Sequence, residues 1–382
     1  MVRITRRHWV AETAGVAGLA SIPALAAGKS ERLKITKVDI FQVVVPIQDD
    51  IINSPEFDPD SLSEFPKGPK VIVKLHTDSG LVGIGETSRN VAKAGALENA
   101  RHLTGQNALD LDLARLRLPN PATRSAFEIA LYDVVGKAFG WPVYQLLGGL
   151  AQAKVYIPYW CGRKNPVDAK RVAQRTLKGG FTSLKMKGRP GDPIVEAVRA
   201  VKQVAPSVRI TVDFNRHYKT AGEFLPVGRA LDEIGNMRTI EDPVDDLAEM
   251  AKIAREPETA ITLTPRNTKQ MVDAAKMGAC ELINTGPMPS MMSFVMNVAV
   301  AGALGMPCWH GSGHELGIRD AAMVHSCAAA ANCTLPSDIL SYQRVDDLIV
   351  KPIQIKDSYA IVPNAHGLGV ELDTDAVARY SV

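Results

Sequence analysis

Four short apolar runs, each closed by a charged or polar residue, set the strongest limit on what this 382-residue chain can fold into. They are Ser183-Leu184-Lys185-Met186-Lys187, Ile210-Thr211-Val212-Asp213-Phe214-Asn215, Ile240-Glu241-Asp242-Pro243 and Ile261-Thr262-Leu263-Thr264-Pro265. From Lys187 to Asp213 is 26 residues, from Asp213 to Glu241 is 28, and from Glu241 to Thr264 is 23. That is the length of a strand, a crossover helix and two short loops, so the spacing predicts consecutive βα units of a parallel sheet. Polar groups at the C-terminal ends of such strands converge on one site.

The same period predicts strands near 155–160, 182–187, 209–213, 237–241, 259–263, 281–284, 306–310 and, most weakly, 338–340. Helices are expected between them, at 191–204, 245–255, 268–278, 290–304 and 317–331. Residues 151–350 therefore read as a (β/α) barrel. Ahead of it, alternating β-branched runs at 33–45, 71–75 and 81–86 and helical patterns over 91–116 and 122–139 make residues 33–150 a small α+β domain. The long polar stretch 47–69 inside that domain reads as a lid or binding loop. Residues 351–382 return to β-like runs and a glycine-rich tail expected to fold back onto the first domain.

Charged residues make up 22% of the chain and the net charge is +3, with Lys and Arg scattered, so nucleic acid is not an expected partner. No run of 18 uncharged apolar residues follows residue 30, which leaves no membrane span in a mature protein. Residues 1–28 have the layout of an export signal of twin-arginine type: Arg6-Arg7, an apolar run from Ala14, and Ala24-Leu25-Ala26 as a cleavage site. A periplasmic location follows from that reading, a cytoplasmic one if the segment is only a basic terminus. Five cysteines without a CxxC pair read as buried free thiols.

Strand alternation puts Lys185 and Lys187 on one face and Leu184 and Met186 on the other. In a barrel the lysines would then point inward near the mouth, where repulsion and burial are expected to lower both pKa values and make one of them a base. Asp213 and Glu241 end the next two strands, a plausible Mg²⁺ site with positions left open for substrate.

Lys185-x-Lys187, Val212-Asp213-Phe214-Asn215, Ile240-Glu241-Asp242-Pro243, Leu146-Leu147-Gly148-Gly149 and Gly367-Leu368-Gly369-Val370 together resemble the enolase superfamily, in its mandelate racemase/muconate lactonizing enzyme branch. The resemblance implies a modified (β/α)₇β barrel under an N-terminal α+β capping domain completed by the C-terminal tail. It also implies a small carboxylate substrate, a divalent metal, usually Mg²⁺, and a base that removes the proton α to that carboxylate, giving an enediolate. Homo-oligomers are common in the family. By the match, Lys187 is the acid/base, Lys185 its partner, and Asp213 and Glu241 are metal ligands. The third ligand carboxylate is replaced by Thr264-Pro265, with Asn267 as the nearest substitute. Asn284 stands where the sixth strand should carry a base. At the seventh, His310, His314 and Glu315 are the candidates for a second acid/base and the family glutamate. Asn215, Arg266, Asn284 and Trp309 are the expected substrate contacts. A dehydratase acting on a hydroxy or sugar acid is the first expectation. A racemase, epimerase or cycloisomerase is the second, and a barrel that binds an acid without turning it over is the third.

Overall fold

The capping layer is built on β1 (Ile35–Val43), β2 (Lys70–Thr77) and β3 (Val82–Glu86), an antiparallel meander in the order β1-β2-β3. The computed structural model describes residues 32–286 and 290–382; the predicted export signal lies outside them. Helix α1 (Lys93–Leu103) follows, then α2 (Arg124–Phe139) and the one-turn α3 (Val143–Leu146). The helix expected over 91–116 stops at Leu103 because Gly105 takes φ +93° and the chain continues in short 3₁₀ turns. Gly83 and Gly85 let α2 lie against β3: a methyl group at either would strike the carbonyl oxygens of Ala130 or Ala126.

After β4 (Lys154–Tyr156), which pairs outside the barrel, the barrel begins with β5 (Tyr159–Arg163) and continues as α4 (Pro166–Lys178), β6 (Ser183–Lys187), α5 (Ile194–Val204), β7 (Arg209–Asp213), α6 (Ala221–Asp232), β8 (Met237–Glu241), α7 (Leu247–Ile253), β9 (Ile261–Leu263), α8 (Thr268–Met277), β10 (Leu282–Asn284), α9 (Met291–Ala303), β11 (Cys308–Trp309) and α10 (Gly317–Ala329). Strands β5 to β11 form one seven-stranded parallel sheet in sequence order. The eighth strand expected at 338–340 does not form. An irregular segment fills its place: Leu335 and Asp338 donate their N–H groups to the Cys308 and His310 carbonyls, and Ser337 donates to Tyr156. Pro336 has no N–H to give, which limits how regular this stave can be.

After the barrel, β12 (Ile355–Lys356) and β13 (Tyr359–Ile361) pair antiparallel, and β13 joins β4. The tail then meets the capping layer, with Leu368 N–H on Asp133 and Val44 N–H on the Tyr380 carbonyl, next to α11 (Thr374–Tyr380). All five cysteines are buried and free. No helix among the described residues is long and apolar enough to cross a membrane.

Candidate active site

Register brings the strand ends together. Lys187 on β6 pairs with Asp213 on β7, and Asp213 with Glu241 on β8, so three charged residues stand side by side at the barrel mouth. Leu184 and Met186, alternating with the lysines, are fully buried on the other face. Lys187 Nζ lies 2.5 Å from Asp213 Oδ2. Lys185 Nζ lies 2.8 Å from Glu241 Oε2, 2.9 Å from Asp338 Oδ2 and 3.9 Å from Asp213 Oδ2. The expectation that both lysines titrate low fails for Lys185. Burial alone would strip its proton, but Asp338, Glu241 and Asp213 outweigh burial and hold its pKa above the ordinary value. It is a fixed cation.

Burial would raise Asp213, yet Lys187 and Lys185 pull it below the usual carboxylate range. Glu241 is pushed up to about 8, first by burial and then by the charge of Asp213. Its Oε1 accepts the Asn284 amide N–H at 2.6 Å and lies 3.5 Å from the Thr264 hydroxyl. Two buried carboxylates that repel each other this way fit a divalent cation, which would relieve the excess negative charge. Thr264, the position expected to replace a third ligand acid, brings a hydroxyl beside Glu241 and not a carboxylate.

His314 enters the cleft from the loop after β11. Its φ is +59°, and Asn215, Arg216 and Asp242, on the neighbouring strand-end loops, also take positive φ. Such strain in non-glycine residues concentrates where geometry is imposed by function. Arg344 fixes the His314 loop by donating to the carbonyls of His314 and Val45. The imidazole packs edge-on against Trp160, with ring centroids 4.3 Å apart, and against Phe65 of the 47–69 loop at 5.8 Å. Both ring nitrogens are without hydrogen-bond partners among the described residues. Burial, then Arg344, holds its pKa well below the ordinary value, so the ring is neutral.

These groups line a cleft of about 600 Å³ that also takes in Asn215, Arg189 and Arg89. The Asn215 amide donates to Asp213 Oδ2 at 3.1 Å. Ser61, Leu62, Glu64 and Phe65 of the 47–69 loop close one side of the cleft.

Other sequence candidates lie elsewhere. Asn267 is exposed and caps α8, accepting from the Gln270 N–H, so it cannot replace the missing metal ligand. Arg266 is exposed and paired with Asp245 at 2.5 Å, away from this cleft. Trp309 lies behind Lys185, 5.9 Å from its Nζ, and lines a small hollow with Pro158 and Thr211 rather than the cleft. His310 is fully buried against Phe294. Glu315 is buried in an ion-pair network with Lys70 and Arg319, which outweighs burial and holds its pKa far below the ordinary value. Lys70 also pairs with Glu86, so this network ties the capping layer to the barrel. Asp338 escaped the sequence reading; the signal for it was an acid opening the strand-like run expected at 338–340.

A capped barrel with lysines and carboxylates gathered at its mouth is the frame of an enzyme. Residues 168–376 match the family model described as "Enolase C-terminal domain-like", and residues 61–148 match the "Mandelate racemase / muconate lactonizing enzyme, N-terminal domain". The chain belongs to the enolase superfamily, in its mandelate racemase/muconate lactonizing enzyme branch. It is 32% identical to an N-succinylamino acid racemase of Thermus thermophilus, over 74% of this chain and 77% of that protein. It is 31% identical to a D-galactonate dehydratase of Variovorax paradoxus, over 48% and 53%. The crystal structure of a muconate lactonizing enzyme from Pseudomonas fluorescens superposes with a TM-score of 0.79 at 21% identity, covering 92% of this chain and all of that one.

Proposed function

We propose that this enzyme removes and returns the proton on the carbon α to a substrate carboxylate, with Lys187 and His314 each serving one face, so that it racemises or epimerises its substrate. The observation that carries this reading is the neutral His314 imidazole at the cleft, free of hydrogen-bond partners among the described residues. A neutral ring at the cleft can take the α-proton from one face while a protonated Lys187 delivers one to the other; in the reverse direction the imidazolium so formed gives its proton back. Lys187 reaches the same cleft from β6, which is separated from β11 by four strands in one direction around the barrel and by β5 and the irregular stave in the other. The racemase similarity supports the same choice.

Lys185, charged and held by three carboxylates, faces the cleft and would bind the substrate carboxylate and favour the negative charge that develops on it. A divalent cation held by Asp213 and Glu241 would add Lewis-acid polarisation of that carboxylate. Asn284 holds Glu241 in place, and Asn215 holds Asp213. Trp160 and Phe65 keep water from His314. β-Elimination of water is the second reading, favoured by the polar cleft residues Asn90, Asn215, His217 and Ser312, which suit a hydroxylated acid.

The test is to incubate the enzyme in deuterated water with single enantiomers of N-acyl amino acids and hydroxy acids. Exchange of the α-proton is followed by NMR and configuration by chiral chromatography. Lys187→Met should lose exchange of one enantiomer and His314→Asn exchange of the other, and each should abolish interconversion. A keto-acid product without loss of configuration would replace racemisation by dehydration. Absence of exchange across the library would sink the proposal.

A further inference from the structure

The cations of the cleft are not all used. Lys187 is matched by Asp213, Lys185 by Glu241 and Asp338, and Arg216 lies 3.5 Å from Asp242 and 3.6 Å from Asp245. Arg89 is spent within the fold: its guanidinium lies 3.5 Å over the Phe65 ring and donates to the Gly313 carbonyl at 2.5 Å. Arg189, just beyond the end of β6, differs. Among the described residues no carboxylate comes within ion-pair distance of its guanidinium, which meets the His217 side chain, Nη1 to Nδ1, at 3.1 Å.

The acids nearest to it are already taken. Asp192 accepts the Arg189 backbone N–H, but its two oxygens are held by Arg163 at 2.9 and 2.5 Å. Asp60 is held by Arg163, Asn53 and the backbone of Leu62. Arg189 is half-buried, and burial, the main influence on it, lowers its pKa, which an incoming anion would reverse. A planar guanidinium with free donors at a cleft wall is suited to a carboxylate, which it can grip with two parallel bonds.

Resting on the proton-transfer reading above, we infer that the substrate carries a second carboxylate, bound by Arg189 with His217 beside it, at the far end from the carboxylate that meets Lys185. The substrate class is then a dicarboxylate whose second acid lies on the side chain or on an acyl group. One anion fixes the reacting carbon over Lys187; the other fixes the distance from it.

The experiment is calorimetric titration of the full chain with the α,ω-dicarboxylates from succinate to adipate and with the monocarboxylates of matching length. At least one dicarboxylate should bind 10-fold or more tighter than its monocarboxylate, the size expected for one charge-assisted contact. Arg189→Gln should erase that preference and leave monocarboxylate binding unchanged, while Lys185→Met should weaken both series. Equal binding of the two series by the wild type would overturn the inference, as would a preference that survives in Arg189→Gln. Neither result depends on α-proton exchange, so the failure of this inference and the failure of the reaction itself are separate outcomes.

Discussion

The Asn284 side chain donates its amide to Glu241, Nδ2 to Oε1 at 2.6 Å, while its own Oδ1 accepts the Gly286 N–H at 2.8 Å. The second bond fixes which way the amide points, so Glu241 meets a donor on the β10 side. Lys185 lies on its other oxygen and the Thr264 hydroxyl nearby. Glu241 thus already faces the Asn284 amide and the Lys185 ammonium, and a cation must compete with them.

Metal affinity follows from that arrangement. With two carboxylates instead of three, the wild type should bind Mg²⁺ weakly, and Asp213→Ala or Glu241→Ala should abolish binding. Thr264→Asp supplies the missing acid beside Glu241 and should tighten Mg²⁺ at least 10-fold, the equivalent of about 1.4 kcal/mol. Calorimetric titration with MgCl₂ measures both. Unchanged affinity in Thr264→Asp would show that the third ligand position lies elsewhere.

The buried network around Lys70 predicts a large stability effect far from the cleft. Lys70 Nζ lies 3.0 Å from Glu86 and 2.9 Å from Glu315, with all three side chains almost wholly buried. Lys70→Met leaves two buried carboxylates facing each other and should cost about 3–5 kcal/mol. Urea unfolding gives the value; a loss under 1 kcal/mol would mean that Arg319 alone neutralises the pair.

Acid sensitivity should trace to His310 and His325. Burial lowers each to about 4, against about 6.5 in the unfolded chain. Below 6.5 the unfolded chain takes up protons that the folded chain refuses. Their contribution is therefore complete above about 6.5 and is lost as the pH falls toward 4, on the order of 2–3 kcal/mol from each. Asp320, pushed up to about 8 by burial, works in the opposite sense, so the informative quantity is a difference between proteins. His310→Leu should match the wild type in melting temperature near pH 7.5 and exceed it near pH 5. Because His310 lies outside the cleft, the variant should keep its activity.

Strand ends were readable because β-branched runs and charged termini sit close together in sequence: Lys185, Lys187, Asp213 and Glu241 all stand at the barrel mouth. Their electrical state was not readable. Asp338, which completes the charge balance of Lys185, is 153 residues away from it, and the run around it lacks strand character because Pro336 interrupts the hydrogen bonding. Asn267 misled because an asparagine shortly after a strand end is as good a helix cap as a ligand, and here it is the cap. His310 and His314 are four residues apart and look alike in sequence. Positive φ at His314 and its tie to Arg344, 30 residues on, turn that ring to the cleft, while His310 stays behind the sheet.

The irregular stave at 335–340 gives the assembly of this site an order. Its hydrogen bonds to Cys308 and His310 on one side and to Tyr156 on the other close the ring, and the same few residues deliver Asp338 to Lys185. A chain folded only as far as β11 would hold Lys185 against Glu241 and Asp213, one acid short, with an open seam beside it. Closing the seam and setting the charge of Lys185 are thus one event, and a barrel that has not finished folding has no finished site to offer a substrate.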